Sequence, residues 1–489
     1  MSNFGKKLSV FLDKYYWFLF AGLAVYAAML CFLRLEVGYV ASWDEARHGI
    51  SAYEMLQNKN FIVNTYNYDV DYWNLKPPFS FYGIMLGFGI FGYSVIGLRF
   101  YSALSYFLIC IFCALFVKKY HGKLSSLLTL AFLCCNQLML ETHGARAGDA
   151  DALYQLFFTI AMLAMMEIPE KHNRSYICGA CFSLAFLTKS YHAGIILVIG
   201  GLYMLITGMI TKFKVKEWIF FVLSMTVPAG AWIIARFTQD GLTFFMTMLT
   251  EDVLSRSSVA SEGHTGSAFF YIERYFMDGG MIYWLLLLVI LAAGVYLIFK
   301  KKESLKPYIG YLLWLFVPLA AFSAVSTKLN WYNYPILIPL CMLAAIVIAR
   351  YMETSDGKRQ KIVLAVILIA VGIYGYRTFD AAILSIHGDA LQIFIAESVD
   401  REDELAGANA YIQVRQEMED GSVWNQNNNF IAEIEGDFKC KPHGVSGYLD
   451  CTEKKVIYIS REDYVNMQDM LTGEILHETD DYLMLGDNL

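Results

Sequence analysis

The stretch Tyr15–Leu35, YYWFLFAGLAVYAAMLCFLRL, decides the fold class. Its one charged side chain is Arg34, and a helix needs about 20 apolar residues to cross the hydrocarbon core of a bilayer. Ile219–Ala235, Met281–Phe299 and Ile362–Tyr376 repeat the pattern. Of the 489 residues, 57% are hydrophobic and 17% charged, where a soluble globular protein carries about 45–50% and about 25%. Both departures point the same way: they exclude an ordinary soluble enzyme and indicate a polytopic α-helical membrane protein. Lys6, Lys7 and Lys14 precede the first run, but it is too long for a signal-peptide core and no small-residue cleavage pattern follows. It is expected to remain as the first span.

Eleven spans can be drawn, at roughly 15–35, 97–117, 124–141, 152–168, 176–188, 192–210, 218–236, 281–299, 308–325, 332–349 and 361–378. One set of connections holds 19 of the 38 Lys and Arg, among them Lys118-Lys119 with Lys123, Lys212 to Lys216 and Lys300-Lys301-Lys302. An excess of positive charge in short loops marks the cytoplasmic side. The apolar stretch Phe79–Tyr93 is short and holds four glycines, so it reads as an interfacial or re-entrant segment. The formal net charge of −7 hides a partition. From Asp380 onward 7 Lys and Arg stand against 23 Asp and Glu, while the rest carries 31 against 22. The expected organisation is a transmembrane domain over 1–379, with a first external loop over 36–96, and an acidic external domain over 380–489. A helical stretch at Asp403–Met418 and a strand-like run at Lys455–Ser460 suggest that this tail is a small α/β domain.

Of the ten cysteines, eight lie in apolar runs, where Cys behaves as a small hydrophobe; Cys178 and Cys181 form a lone CxxC there. Cys440 and Cys451 are the two in the tail, where a disulfide would imply an oxidising compartment.

The loops opposite the basic set hold the unusual residues. They bring Trp43-Asp44-Glu45-Ala46-Arg47-His48 and Leu75-Lys76-Pro77-Pro78 to one face, with Arg146, Asp149, Asp151 and Lys189. Glu251, Asp252, Arg256, His264, Lys328, Trp331 and Tyr332 join them. Ionisable residues near hydrocarbon are expensive and point to function, although a single one such as Lys189 can equally snorkel into the headgroups. The mixture is informative. Lys76, Arg146, Lys189, Arg256, Lys328 and Tyr332 suit a phosphate, whereas Asp44, Glu45, Asp149 and Asp151 suit a general base or a divalent metal. A phosphate-bearing amphiphile attacked by a nucleophile that must lose a proton fits both: glycosyl or phosphoryl transfer from a lipid carrier.

Asp44-Glu45, Lys76-Pro77-Pro78, the run from Arg99, Ala145-Arg146 through Asp151-Ala152, Phe186-Leu187-Thr188-Lys189, Glu251 to Arg256 and Lys328 to Pro335 occur in one order over about residues 15–350. That ordered set resembles the GT-C membrane glycosyltransferases, in the branch of the dolichyl-phosphate-mannose–protein mannosyltransferases and the lipid A aminoarabinose transferases. The resemblance implies a multi-pass protein of a bacterial cell membrane with an extracytoplasmic active site. It would move a hexosyl or pentosyl unit, with inversion, from a polyprenyl-phosphate sugar to a glycan, lipid or protein acceptor. Asp44 then matches the base, Glu45 its neighbour and Asp151 a further acid. Lys76, Arg256 and Tyr332 match residues that hold the lipid phosphate, with Lys328, Lys189 and Arg146 as further cations.

Two departures bear on metal. In the aminoarabinose branch an acidic residue precedes the Lys of the KPP loop, where this chain has Leu75, and a His expected near Glu251 is missing. Zinc of that type is therefore not expected, and a divalent ion on the carboxylates is left open. Membrane lipid is a partner and nucleic acid is not. The rival reading is a transporter or flippase of lipid-linked sugars, which would favour carboxylates or broken helices near mid-membrane.

Overall fold

The computed structural model describes residues 2–255, 265–277, 281–399, 404–413 and 425–489. Among them, eight helices are long and apolar enough to span a membrane, and Lys123–Cys134 and Leu285–Lys300 are shorter apolar helices. One of the eight, Arg174–Ile206, is broken at Ser190 (φ 46°) and covers two of the expected spans. All eleven expected spans therefore fall on helices. Phe79–Phe91 is a 13-residue helix (α3), short of a full crossing, as its length implied.

The chain opens with α1 (Asn3–Phe32), followed by α2 (Asp44–Asn58), whose first two residues are the acidic pair. The helix α4 (Val95–Cys134) doubles back at Gly122, whose φ of 89° favours glycine. Its halves run along each other, Tyr106 Oη donating to Leu133 O at 2.9 Å and Ser126 Oγ to Ala114 O at 2.6 Å. Next come α5 (Ala150–Glu167), α6 (Arg174–Lys189), α7 (Gly194–Ile206) and α8 (Val215–Asp240). The helix Leu337–Thr354 forms the centre, buried throughout from Leu337 to Ala349. By contrast, α8 and the helix Gly357–Phe379 turn Phe220, Leu223, Ile234, Val366, Ile369 and Ile373 outward, the faces that would meet acyl chains.

The tail is an α/β unit. Apart from the short hairpin β1 (Thr65–Tyr66) and β2 (Asp69–Val70) in the first loop, the described residues form five strands here, β3 (Asn409–Ile412), β4 (Lys439–Cys440), β5 (Lys455–Ser460), β6 (Glu474–Glu478) and β7 (Tyr482–Asp487), which pair in the order β4-β3-β5-β7-β6. Here β3 is parallel to β4 and β5, while β7 is antiparallel to β5 and β6. The strand expected at Lys455–Ser460 is β5. The helix expected at Asp403–Met418 is not formed where the chain is described: Asn409–Ile412 is a strand, and residues 414–418 lie outside the described residues. The reason is a period of two. Ala410 and Ile412 face Phe430 and Val456 on one side of the sheet, and Tyr411 faces Tyr448 and Ile457 on the other. Cys440 and Cys451 are free thiols, so the disulfide considered for the tail is not formed.

Among the described residues the sheet pairs with no strand of the membrane body, and the tail meets that body through its helices. Gln426–Gly436 packs on α2 with Phe430 against Gly49, and Tyr53 Oη donates to Asp437 Oδ1 at 2.6 Å. The tail and the first loop therefore share one face of the protein. A Cβ on Gly49 would stand 2.3 Å from Phe430 Cε2, and that ring is fully buried. Alanine normally favours a helix over glycine by about 1 kcal/mol, while overpacking costs about 1–3 kcal/mol. Gly49→Ala should therefore lower the melting temperature of the detergent-solubilised protein; a rise would contradict this packing.

Candidate active site

Between the start of α2, the loop before α3 and the loop before α5, a cavity of about 550 Å³ is lined by Asp44, Lys76, His143, Asp149, Asp151 and Lys189, with Glu45, Arg146, Trp331 and Tyr332 also at its wall. Each charged group arrives by a local device. Asp44 is the first residue of α2, and Asp149 is the N-cap of α5, accepting from Ala150 N–H at 2.6 Å. Carboxylates favour helix N-termini, where free N–H groups and the helix dipole meet them. Asp151 lies in the first turn of α5, and Lys189 ends α6.

The charges interleave. Lys76 Nζ donates to Asp44 Oδ1 at 2.7 Å and stands 3.9 Å from Asp149 Oδ1. His143 hydrogen-bonds Asp149 through Nδ1, which is 3.5 Å from Asp151 Oδ2, while its Nε2 is 3.8 Å from Asp44 Oδ2. Lys189 donates to Asp151. Beneath, the His143 ring stacks on Trp331 at a centroid distance of 3.6 Å, and the Lys189 ammonium lies 5.5 Å from the Tyr332 ring centre. One difference separates the carboxylates: Asp44 keeps 30% of its side chain exposed, against 2% for Asp149 and 3% for Asp151. Asp44 is the one that faces an incoming molecule.

Burial raises the pKa of the Asp44 carboxyl, but Lys76 and His143 outweigh it and hold the group below the ordinary range. Burial and His143 act in the same opposed way on Asp149, with Lys76 adding to the lowering, so it lies well below that range. Burial alone would discharge His143; Asp149 and its neighbours reverse this and push the imidazole up to about 10. His48 goes the other way, held down at about 3 by burial and by Lys76, so it is neutral and packs against Phe81.

Several expected site residues prove to be differently engaged. Glu45 accepts from Arg99 Nε at 2.7 Å, Ala41 N–H at 2.8 Å and Gly148 N–H at 2.9 Å, so both its oxygens are engaged in holding the surrounding chain. Arg146 sits at the cavity wall but donates to the carbonyls of Leu30, Leu33 and Arg34, closing the end of α1. Lys328 lies outside the lining and donates to Phe322 O, Ser323 O and Val325 O, because the last carbonyls of the helix Ile309–Ala324 lack partners within the helix. Arg256 and His264 fall outside the described residues, and Glu251 is exposed and away from the cavity. His143 was missed; its only signal was its position six residues before Asp149 in a loop of small residues.

Leu75 is buried among Leu187, Trp232, Phe244 and Met248, so the position where an acidic zinc ligand would stand is apolar. The residues do not fit that ion. Another set could hold a cation: ligand atoms of His143, Asp149 and Asp151 lie within 4.8 Å of one another, provided His143 gives up its proton. The site charges gather at one end of the spans rather than at mid-membrane, unlike the arrangement a transporter of this kind would favour.

Comparisons with known proteins agree with the sequence resemblance. Residues 75–232 match the family described as dolichyl-phosphate-mannose-protein mannosyltransferase, a stretch that includes Lys76, Arg99, Asp149, Asp151 and Lys189. Relatives include an undecaprenyl phosphate-alpha-4-amino-4-deoxy-L-arabinose arabinosyl transferase of Proteus mirabilis, 26% identical over 74% of this chain and 64% of the relative. That of Pseudomonas savastanoi pv. phaseolicola is 25% identical over 70% and 63%. The chain thus spans less than two thirds of the length of these relatives. Among solved structures, ArnT from Cupriavidus metallidurans bound to undecaprenyl phosphate superposes with a TM-score of 0.71 at 14% identity, over 96% of this chain and 98% of that one. Its apo state gives a TM-score of 0.67. The likeness in three dimensions is one of fold: a multi-pass membrane protein of the GT-C type, with resemblance to the ArnT line.

The imidazolium of His143 makes a pH prediction. A free histidine titrates near about 6.5, so a group raised to about 10 stabilises the fold fully below pH about 6.5 and loses that contribution as pH rises to about 10. The difference in melting temperature between wild type and His143→Gln should be widest near pH 6 and close towards pH 10. A gap that stays constant would mean that His143 is neutral.

Proposed function

We propose that this protein is a glycosyltransferase of a bacterial cell membrane, moving a sugar from a polyprenyl-phosphate donor to a glycan, lipid or protein acceptor on the extracytoplasmic face. The carrying observation is the pairing of a partly exposed carboxylate, Asp44, with a lysine, Lys76, at the mouth of a cavity beside two further carboxylates and two further cations. The names of the relatives favour a pentosyl unit, such as an aminoarabinose, as the first donor to try over a hexosyl one.

The acceptor hydroxyl approaches Asp44, which takes its proton as the oxygen attacks the anomeric carbon from the face opposite the phosphate. The bond from that carbon to the phosphate oxygen breaks, and the polyprenyl phosphate leaves with the electron pair. Lys76, Lys189 and Tyr332, which line the cavity, would meet the charge that grows on it, and Arg256 keeps the same assignment from sequence alone. A carboxylate held below its usual range is a weak base, and the donor itself corrects this. A phosphate that draws Lys76 to itself weakens the Lys76–Asp44 bond and lets the Asp44 carboxylate become more basic.

Asp44→Asn keeps shape and removes basicity, so it should abolish consumption of a polyprenyl-phosphate sugar by purified protein while leaving donor binding largely intact. Near-normal turnover would move the base to Asp151. Losing a charged contact to a buried phosphate costs on the order of 2–3 kcal/mol, so Lys76→Ala should weaken donor affinity by roughly 30–150-fold. Tyr332→Phe, losing one neutral donor worth about 1 kcal/mol, should cost about 5-fold. Lys118→Ala, whose ammonium lies over the Trp17 ring, should leave donor affinity unchanged.

A further inference from the structure

The loop that delivers Asp44 is held from outside the membrane body. Residues 40–43 lie between α1 and α2 without regular structure. Two buried glutamines from beyond residue 380, Gln392 at 6% exposure and Gln426 at 7%, meet their polar groups. Gln392, on the helix Ala390–Glu397, closes both backbone groups of one residue: Val40 N–H donates to its Oε1 at 2.8 Å, and its Nε2 donates to Val40 O at 3.0 Å. Gln426, the first residue of the helix Gln426–Gly436, accepts at Oε1 from Trp43 N–H at 3.0 Å and from Ser42 Oγ at 2.7 Å.

Trp43, directly before Asp44, sits at φ 57°, ψ −98°, a conformation that a residue with a side chain rarely adopts. Such a residue persists where its surroundings over-determine it, and here the surroundings are the Gln426 oxygen and the Trp73 ring, 4.8 Å away between centroids. Neither glutamine is among the residues lining the cavity. Nor is Gln426 needed to seat its helix on α2, because Phe430 on Gly49 and Tyr53 on Asp437 do that further along.

We infer that Gln392 and Gln426 are positioning residues for sugar transfer: from the acidic tail, they lock residues 40–43 so that Asp44 enters α2 with its carboxylate on Lys76. The inference rests on the reading of Asp44 as the base. It gives two side chains outside the cavity lining a part in the reaction.

The test uses the full-length protein in detergent and two readouts, hydrogen exchange over residues 39–47 and transfer kinetics from a polyprenyl-phosphate sugar. Gln426→Leu removes the acceptor at similar volume, Gln426→Glu keeps one, and Tyr53→Phe cuts the separate tether. Gln426→Leu should speed exchange at Ser42–Asp44 and lower kcat by about 10–100-fold with donor KM within about 2-fold, since a misplacement of about 1 Å can cost about 100-fold. Gln426→Glu should recover much of that loss, and Tyr53→Phe should change neither readout. Gln392→Leu should repeat the pattern with faster exchange centred on Val40. Unchanged exchange in both Leu variants would overturn the inference, as would equal losses in Gln426→Leu and Tyr53→Phe, which would mark general loosening of the tail. If wild-type protein consumes no polyprenyl-phosphate sugar, the functional reading fails instead, and exchange alone decides whether the glutamines hold the loop.

Discussion

The buried pair of Glu45 and Arg99 is the constraint on which the cavity depends. Arg99 donates to Glu45 and also to the carbonyls of Leu35, Gly38 and Tyr39, which lie between α1 and α2. Glu45 in turn accepts from Ala41 N–H and Gly148 N–H. One ion pair therefore ties the first loop to α4 and to the residue before Asp149. Taking two charges out of water costs several kcal/mol each, and the cost is recovered only where the remaining hydrogen-bonding capacity is filled, as it is here. With Glu45 fixed, its neighbour Asp44 is displaced to the cavity side of the helix start.

Inside the cavity the charges balance. Asp44, Asp149 and Asp151 alternate with Lys76, His143 and Lys189; Lys76 and His143 are each shared between carboxylates, and Lys189 pairs with Asp151. Such a lattice meets an anionic phosphate by lending cations, and lending Lys76 changes the basicity of Asp44. In the proposed reaction, the binding of one substrate and the readiness of the base would be coupled through this single ammonium group.

The tail shows how a soluble-looking unit is joined to a membrane body. Its sheet is built on alternating faces, and one of them carries the helix that docks on α2 through Phe430 and Gly49. The polar contacts at the edge of that interface fall on the loop before Asp44, so the interface that secures the tail also shapes the site.

The sequence alone determined the membrane class, the positions of eleven apolar helical segments, the β5 strand and the gathering of Asp44, Lys76, Asp151 and Lys189, because apolar length, alternation and motif order are local properties. Only the tertiary structure decided how adjacent or similar residues divide their roles. Asp44 and Glu45 differ because Arg99, 54 positions on, claims one of them. Lys76 and Lys328 look alike as loop lysines, yet one meets a carboxylate and the other the open carbonyls of a helix end. A lone histidine such as His143 carries no local signature; three carboxylates from two separate stretches make it a cation. The strand at Asn409–Ile412 was missed for the same reason, since its neighbours β4 and β5 come from 30 to 46 residues further along.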